Sequence, residues 1–460
     1  MTGRTKKLDS DARRAALSSV LKTKNKGQVS KPQKAGNLAA VLPKVEPADF
    51  SSLPGFREQS LQKMAAELLQ IDVPFFRSHD GQACATTTIN GRPFINYSSY
   101  DYLGINGHPK IAEAAKSAID RYGVSAGASR VVGGERPVHR ELEEKLAWLY
   151  GVEDALVFVS GHATNVSTIG TLVGKNDVIL HDSFIHNSIL TGATLSGASR
   201  QSFPHNDLEA LESLLIRRRG SQGVTLVIVE GVYSMDGDCS QLDRIIELKR
   251  QYGFWLMVDE AHSLGILGKT GRGLAEFHNV DPKDVDIWMG TCSKTLAGCG
   301  GYIAGSKDLI EYLKVSASGF VFSVGMPPLI ASSLSTAIDI MVDEKDRVER
   351  VQQNGASLLS KAKDGGFDTG TSEGHAVVPI MIGDSIKATV IAGRLAEKGV
   401  NVSPIIHPAV PERSSRLRFF VTSEHTDEQF DDTIEALQEV SEDYDNDPIT
   451  LKQLASLADE

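Results

Sequence analysis

Cysteine is scarce. Four residues (Cys84, Cys239, Cys292, Cys299) are spread over 460 positions. They offer no disulfide framework and no paired metal-ligand spacing, so no metal centre is expected and a reducing compartment is. Long apolar runs are missing too. None approaches the roughly 18 residues of a membrane helix, so no membrane span is expected. The opening residues lack the apolar h-region of a secretory signal, and Asp9 and Asp11 sit where a mitochondrial transit peptide avoids acids. The expected location is cytoplasmic. Basic charge is also in deficit: 48 Lys/Arg face 59 Asp/Glu, a net charge of -11. Residues 1–44 hold 11 Lys/Arg against 2 Asp/Glu, so a +9 extension precedes a remainder of -20. Such an acidic body argues against nucleic acid as a partner. The extension is polar and without aromatics, the composition of a disordered segment. It is either plainly solvated or a docking arm for an acidic partner.

What is present is ordinary globular composition, 41% hydrophobic and 23% charged. At roughly 150 residues per domain the length suggests two to three domains. The basic extension (1–44) is followed by an N-terminal segment (45–98), a large domain (99–344), a smaller one (345–445) and a tail (446–460). Helical apolar spacing covers 53–72, and 92–98 reads as a strand. Apolar strand-like runs then appear at 155–159, 178–182, 225–231, 254–260 and 286–290. Helix-like stretches lie at 164–174, 183–196, 206–218 and 241–252. Continuous apolar strands separated by helices predict an α/β fold whose parallel sheet is covered on both faces. The last part mixes strands at 376–382 and 416–422 with helices near 386–399 and from 427, a second α/β unit. Ligands of an open parallel sheet gather at the carboxyl ends of its strands.

Five such ends carry chemistry. TCSKTLAGCGGYIAG (291–305) places Lys294 among small and hydroxyl residues. There it is either a solvated surface lysine or a buried amine able to form a Schiff base. FWLMVDEAHSLGILG (254–268) ends a strand on Asp259, with His262 three residues later. A buried strand-end carboxylate needs a cation, unless it only caps a helix. SGHATN (160–165) opens a helix whose free N–H groups suit a phosphate, as many βα turns would. DSFIHNSIL (182–190) places His186 near a helix start, where a lone histidine is more often structural than catalytic. EGVYSMDGDCSQL (230–242) sets Ser234 just past a strand.

In this order the five segments resemble the fold-type I enzymes dependent on pyridoxal 5′-phosphate, and more narrowly the α-oxoamine synthases. That group includes 8-amino-7-oxononanoate synthase, 5-aminolevulinate synthase, 2-amino-3-ketobutyrate CoA ligase and serine palmitoyltransferase. NYSSYDYLGINGHP (96–109), GASRVVGGERPVHRELEEKLA (127–147), FVFSVGMPP (320–328) and SRLRFFVTSEHT (415–426) add to the likeness, which runs from about Pro54 to residue 442. The resemblance implies a large domain with a mostly parallel, seven-stranded type of sheet flanked by helices, and a smaller C-terminal α/β domain. It implies pyridoxal phosphate bound through Lys294, the residue that also moves the substrate's α-proton. Asp259 would pair with the ring nitrogen, His262 with the 3′-oxygen, and His186 would stack on the ring. Gly161, His162, Ser234, Thr291 and Ser293 would surround the cofactor, and Ser323 would reach the phosphate of a partner subunit in a homodimer. Arg418 matches the receiver of the amino acid's carboxylate, with Thr422 nearby. Arg77 falls where an N-terminal residue contacts the acyl substrate.

Three positions depart from the common pattern. His162 replaces an aromatic residue, Val324 a hydroxyl residue, and Tyr100 an asparagine facing the amino-acid pocket. Tyr100 favours a longer acyl chain and a small amino acid. The implied reaction is a decarboxylative condensation of serine, alanine or glycine with an acyl thioester, carried on CoA or on an acyl carrier protein. Aminotransferase or lyase chemistry is the alternative within the fold. A catalytically silent partner subunit is the alternative outside it, and the presence of Lys294 argues against that.

Overall fold

The computed structural model describes residues 49–53, 55, 56, 60, 74–82, 84–220, 222–411 and 413–448. The basic extension, nearly all of the helix expected over 53–72 and most of the 446–460 tail lie outside the described residues. The contacts divide the chain into two units. In the one made of residues 1–73 and 441–460 the described residues form little more than a 3-10 turn at Phe50–Ser52, capped by the Asp49 side chain, and the end of the last helix.

The other unit, 74–440, carries three sheets. It opens with β1 (His79–Asp80), β2 (Thr86–Ile89) and β3 (Arg92–Asn96). Two helices, α1 (Pro109–Tyr122) and α2 (Pro137–Tyr150), lead to the main sheet. There β4 (Asp154–Phe158), β5 (Val178–Asp182) and β6 (Ser199–Phe203) alternate with α3 (Gly161–Leu172), α4 (Asn187–Ser196) and α5 (Leu208–Arg218). Next come β7 (Thr225–Glu230), α6 (Leu242–Tyr252), β8 (Trp255–Asp259), α7 (Leu274–His278), β9 (Ile287–Thr291) and β10 (Gly301–Gly305). The seven strands stand in the order β4-β10-β9-β8-β7-β5-β6. All but β10 run parallel; β10 is antiparallel to both of its neighbours.

The apolar runs are continuous because both faces of this sheet are covered. Val227 and Val229 of β7 join one core with Leu256, Val258 and Trp288. Their neighbours Leu226 and Ile228 join the opposite core with Met257 and Met289. Alternation along each strand sends successive side chains to opposite faces, and here both are apolar. Two strands leave no such trace in the sequence. Edge strand β6 reads SRQSF, exposed but for Phe203, and β10 (GYIAG) is bounded by glycine at both ends.

Helices α8 (Lys307–Ser316), α9 (Ser318–Val321), α10 (Pro328–Asp343) and α11 (Lys345–Asp364) follow. The last part comprises β11 (Val377–Gly383), α12 (Ser385–Glu397), β12 (Val400–Asn401), β13 (Ser403–Ile405), β14 (Ser415–Phe420) and α13 (Asp427–Asn446). An antiparallel sheet β11-β14-β13 packs on a core of Leu358, Val378, Ile380, Ile391, Leu417 and Phe430. The early strands belong with this lobe: β12 pairs parallel with β3, and Tyr97 lies in the same core.

A buried ion cluster braces the start of the large sheet. Arg130 is buried and binds Glu143, which is fully buried on α2, together with Glu135. Glu143 also accepts the Val157 N–H of β4 at 3.1 Å. Arg130→Met would strand a carboxylate in the interior, at a cost of about 3–5 kcal/mol. Urea unfolding of the variant is the check; a loss below about 1 kcal/mol would show that the pair contributes little.

Candidate active site

Lys294 stands in a tight turn between the two antiparallel strands β9 and β10. Thr291 and Gly301 pair across its base. Cys292 N–H donates to Gly300 O at 3.0 Å, Gly298 N–H to Cys292 O at 2.8 Å, and Ala297 N–H to Lys294 O at 2.8 Å. The lysine side chain enters a cavity of about 340 Å³ at the carboxyl ends of β5, β7, β8 and β9. Burial draws the Lys294 pKa down to about 8, although Asp259 and Glu230 oppose the shift.

Those two carboxylates are cross-strand partners in the register of β7 with β8. Asp259 Oδ1 accepts the Ala261 N–H at 3.0 Å, and Oδ2 accepts Asn165 Nδ2 at 2.9 Å. The same Asn165 amide donates to Ser188 Oγ at 2.9 Å, and that hydroxyl lies 2.7 Å from His186 Nδ1. The Ser188 backbone N–H donates to the same Nδ1 at 3.3 Å, so Nδ1 is the acceptor, the Ser188 hydroxyl donates to it, and His186 Nε2 carries the proton. Glu230 Oε1 fixes the other side of His186 by accepting its backbone N–H at 2.5 Å. Burial, and then the neighbouring Asp259, push the Glu230 carboxyl well above the usual range.

His262 is buried, and its Nδ1 lies 2.7 Å from the hydroxyl of fully buried Tyr102. Burial, with Lys294, Arg418 and His186 nearby, holds this imidazole far below its ordinary pKa. It is therefore neutral. When Tyr102 donates to Nδ1, the single ring proton stands on Nε2.

The opposite end of the cavity is lined with donors. Ser160 caps α3, and the first N–H groups of a helix have no partner within it. A Cβ at Gly161 would lie 2.8 Å from Thr291 Oγ1, so a larger residue there would press on Thr291. The Thr291 hydroxyl meets Ser293 Oγ at 2.8 Å. Helix-end amides with hydroxyls beside them form an anion site.

Two arginines on one face of β14 complete the picture. Arg416 is ion-paired, with Asp236 at 2.6 Å. Arg418 is not: it donates to Ser234 O at 3.0 Å and meets Met235 Sδ at 3.3 Å, and its Nε is buried without a partner. Burial lowers the Arg418 pKa from its ordinary value. Among the described residues no carboxylate pairs with Arg418, so a buried cation faces the cavity uncompensated.

Eleven of the residues expected from the sequence line this one cavity: Tyr100, Gly161, His162, His186, Ser234, Asp259, His262, Thr291, Ser293, Lys294 and Arg418. Three do not. Thr422 is buried, with its hydroxyl 3.1 Å from His425 Nδ1. Arg77 lines another cavity, of about 300 Å³, beside Phe75, Phe76 and Asn401. Ser323 lies between exposed Phe322 and Val324. Asn165, Ser188, Glu230 and Tyr102 carried no sequence signal of their own. All four stand inside motifs already quoted, but only the folded network shows what their side chains hold.

The residues present suit pyridoxal phosphate: an amine for the aldehyde, an acid for the ring nitrogen, a neutral imidazole donor, and a helix-end anion site. Comparison with known proteins agrees. The model of the family aminotransferase class I and II matches residues 92–437. The 8-amino-7-oxononanoate synthase of Geobacter sulfurreducens is 38% identical over 369 residues, covering 80% of this chain and 94% of its own. The serine palmitoyltransferase of Bacteriovorax stolpii is 35% identical over 371 residues, covering 81% of this chain and 88% of its own. The solved Sphingomonas wittichii serine palmitoyltransferase superposes with a TM-score of 0.82 at 30% identity, over 87% of this chain and all of that one. A serine palmitoyltransferase structure with PLP superposes at 0.80 with 28% identity, over 86% of this chain and 99% of that one. The chain thus belongs to the aminotransferase class I and II family and, within it, to the α-oxoamine synthases, which are C-acyltransferases dependent on pyridoxal 5′-phosphate.

Proposed function

We propose that the protein condenses a small amino acid (serine, alanine or glycine) with an acyl thioester, releasing carbon dioxide and the free thiol and giving an α-amino ketone. The observation that carries the amino-acid half is Arg418, a buried arginine in the cavity of Lys294 and Asp259 that pairs with no carboxylate among the described residues. A planar two-pronged cation in that state is made for an incoming carboxylate. Tyr100 lines the cavity and is 40% exposed, so it stands where the cavity meets solvent and narrows the room for a side chain.

Bound here, pyridoxal phosphate would supply a protonated ring that draws electron density from the substrate's Cα. Asp259 would hold the proton on the ring nitrogen. Asn165 and the Ala261 amide keep that carboxylate in place. His262 would donate from Nε2 to the 3′-oxygen, and Gly161, His162, Thr291 and Ser293 would take the phosphate. Arg418 then anchors the amino acid, and His186 orients it from the other side. Lys294 removes the Cα proton as a neutral amine and returns it after carbon dioxide has left. Holding both reactants together contributes on the order of 7–11 kcal/mol where alignment is good.

A neutral amine is required at Lys294, and its pKa of about 8 places half of the apoenzyme in that form near that pH. Below it the amine is protonated and cannot attack an aldehyde. Association of pyridoxal phosphate with apoenzyme therefore accelerates as the pH rises through about 8 and then levels. Stopped-flow absorbance reads this, and a rate that is flat across that range would rule the assignment out.

The second subunit is part of the reading. Val131, Val132, Phe322 and Val324 are exposed, on two segments joined by Gly325 N–H to Ala128 O at 2.9 Å and Ser129 Oγ to Val321 O at 2.8 Å. An apolar surface of this kind suits a second copy of the chain, and would carry Ser323 to the partner's phosphate site. The deciding experiment incubates holoenzyme with small amino acids and acyl groups on CoA or on an acyl carrier protein. Products are identified by mass spectrometry and the oligomer by sedimentation. Carbon dioxide and free thiol in equal amounts, from a dimer, are expected. Amino transfer without either product would overturn the reading.

A further inference from the structure

Cys239, Glu373 and His375 lie outside the cofactor cavity and take no part in the chemistry above. They come from two stretches far apart in sequence, the turn region after β7 and the segment before β11. The Cys239 thiol donates to Glu373 Oε2 at 3.2 Å, and His375 Nε2 lies 2.9 Å from the same oxygen. The three potential ligand atoms fall within 4.8 Å of one another. Cys239 is buried, whereas the Glu373 side chain is 47% and that of His375 18% exposed, so the group opens to solvent on one side.

We propose that these three residues form a binding site for a divalent cation of the zinc class. A thiolate, an imidazole and one carboxylate are a borderline-soft donor set, which favours zinc over magnesium or calcium. Metal–ligand bonds of about 2.0–2.3 Å place tetrahedral ligand atoms roughly 3.3–3.8 Å apart. The two spacings to Glu373 Oε2, 3.2 Å from Cys239 Sγ and 2.9 Å from His375 Nε2, need only lengthen by some tenths of an ångström to admit the ion. On binding, Cys239 gives up its thiol proton to solvent, a sulfur–metal bond forms, and the hydrogen bonds to Glu373 are replaced by coordination. Three protein ligands leave a fourth position for water on the open side.

The backbone already holds the ligands close. Glu373 N–H donates to Gly237 O at 3.2 Å, and Thr371 Oγ1 donates to Asp238 Oδ2 at 3.0 Å. Gly237 has φ 74° and leaves no room for a Cβ, which would lie 2.1 Å from Val377 O. The Phe277 ring sits edge-on to His375 at 5.5 Å and limits its swing. Little ordering is left for the metal to impose. A bound ion would clamp residues 371–376 to the turn 234–239, the turn whose carbonyls receive Arg416 and Arg418.

The test uses holoenzyme stripped with a chelator and then titrated with zinc against a chromophoric competitor. One zinc per chain is expected. Cys239→Ser and His375→Ala should each weaken binding by more than about tenfold, since even outer partners of a metal site are worth that much. The cofactor's visible absorbance, unchanged in both variants, shows that they fold. Cadmium in place of zinc should give a thiolate-to-metal absorption that Cys239→Ser abolishes. Absence of stoichiometric binding overturns the site. So does binding that both variants retain, or that only one of them loses. None of these outcomes bears on the synthase reading, which is judged on carbon dioxide and thiol release.

Discussion

Lys294→Ala protein loses its visible cofactor band and its turnover together, with the rate falling by about 10³-fold or more. The size follows from two duties meeting on one amine. Lys294 is the amine in the cavity set between Asp259, Glu230 and Arg418, and burial has already brought its pKa to about 8. Among the described residues that line the cavity, none stands ready to replace it. His186 has Nδ1 engaged with Ser188, and His262 has Nδ1 engaged with Tyr102. Glu230 lies deep, with Oε1 already receiving the His186 N–H. The fold should survive, because the turn around residue 294 is held by backbone bonds from Cys292, Ala297 and Gly298 rather than by the side chain. Absorbance spectra and single-turnover rates of the purified variant are the measurements. Turnover within tenfold of the parent would defeat the assignment.

Asp259→Asn is the second large effect, about 10³-fold in kcat/KM with weaker cofactor retention. Both Asp259 oxygens accept: Oδ1 from Ala261 N–H and Oδ2 from Asn165 Nδ2. An amide offers one acceptor and one donor, so one of those donors meets another donor. The negative charge that would keep a ring nitrogen protonated goes as well. The Asn165 amide is then free to rotate, and with it the Ser188 hydroxyl that orients His186. Cofactor release followed by fluorescence, beside kcat/KM, checks this. An unchanged kcat/KM would show that the carboxylate has no role at the ring nitrogen.

The large sheet was legible because every central strand is apolar on both sides, as the split of Ile228 and Val229 between opposite cores shows. Strand β6 was not, because an exposed edge needs no apolar side chains. Strand β10 was hidden by the glycines that bound it. The reactive groups were legible as strand-end residues. Their supports were not: Asn165, Ser188 and Tyr102 act through the direction of a single proton, which residue spacing does not encode. Arg418 and Thr422 lie in one motif, yet the chain turns between them. The arginine faces the cavity and the threonine faces His425.

The return strand beside Lys294 has a mechanical consequence. Strand β9 is joined to β10 through a hydrogen-bonded turn in the interior of the sheet, with Thr291 paired to Gly301 and the Cys292 N–H bound to Gly300 O. The backbone under the lysine is thereby fixed like a bench clamp. Whatever travel the amine needs between its resting and working positions must come from its own four methylenes. Such motion belongs to the picosecond-to-nanosecond range of side-chain rotation, not to the microsecond range of loop opening.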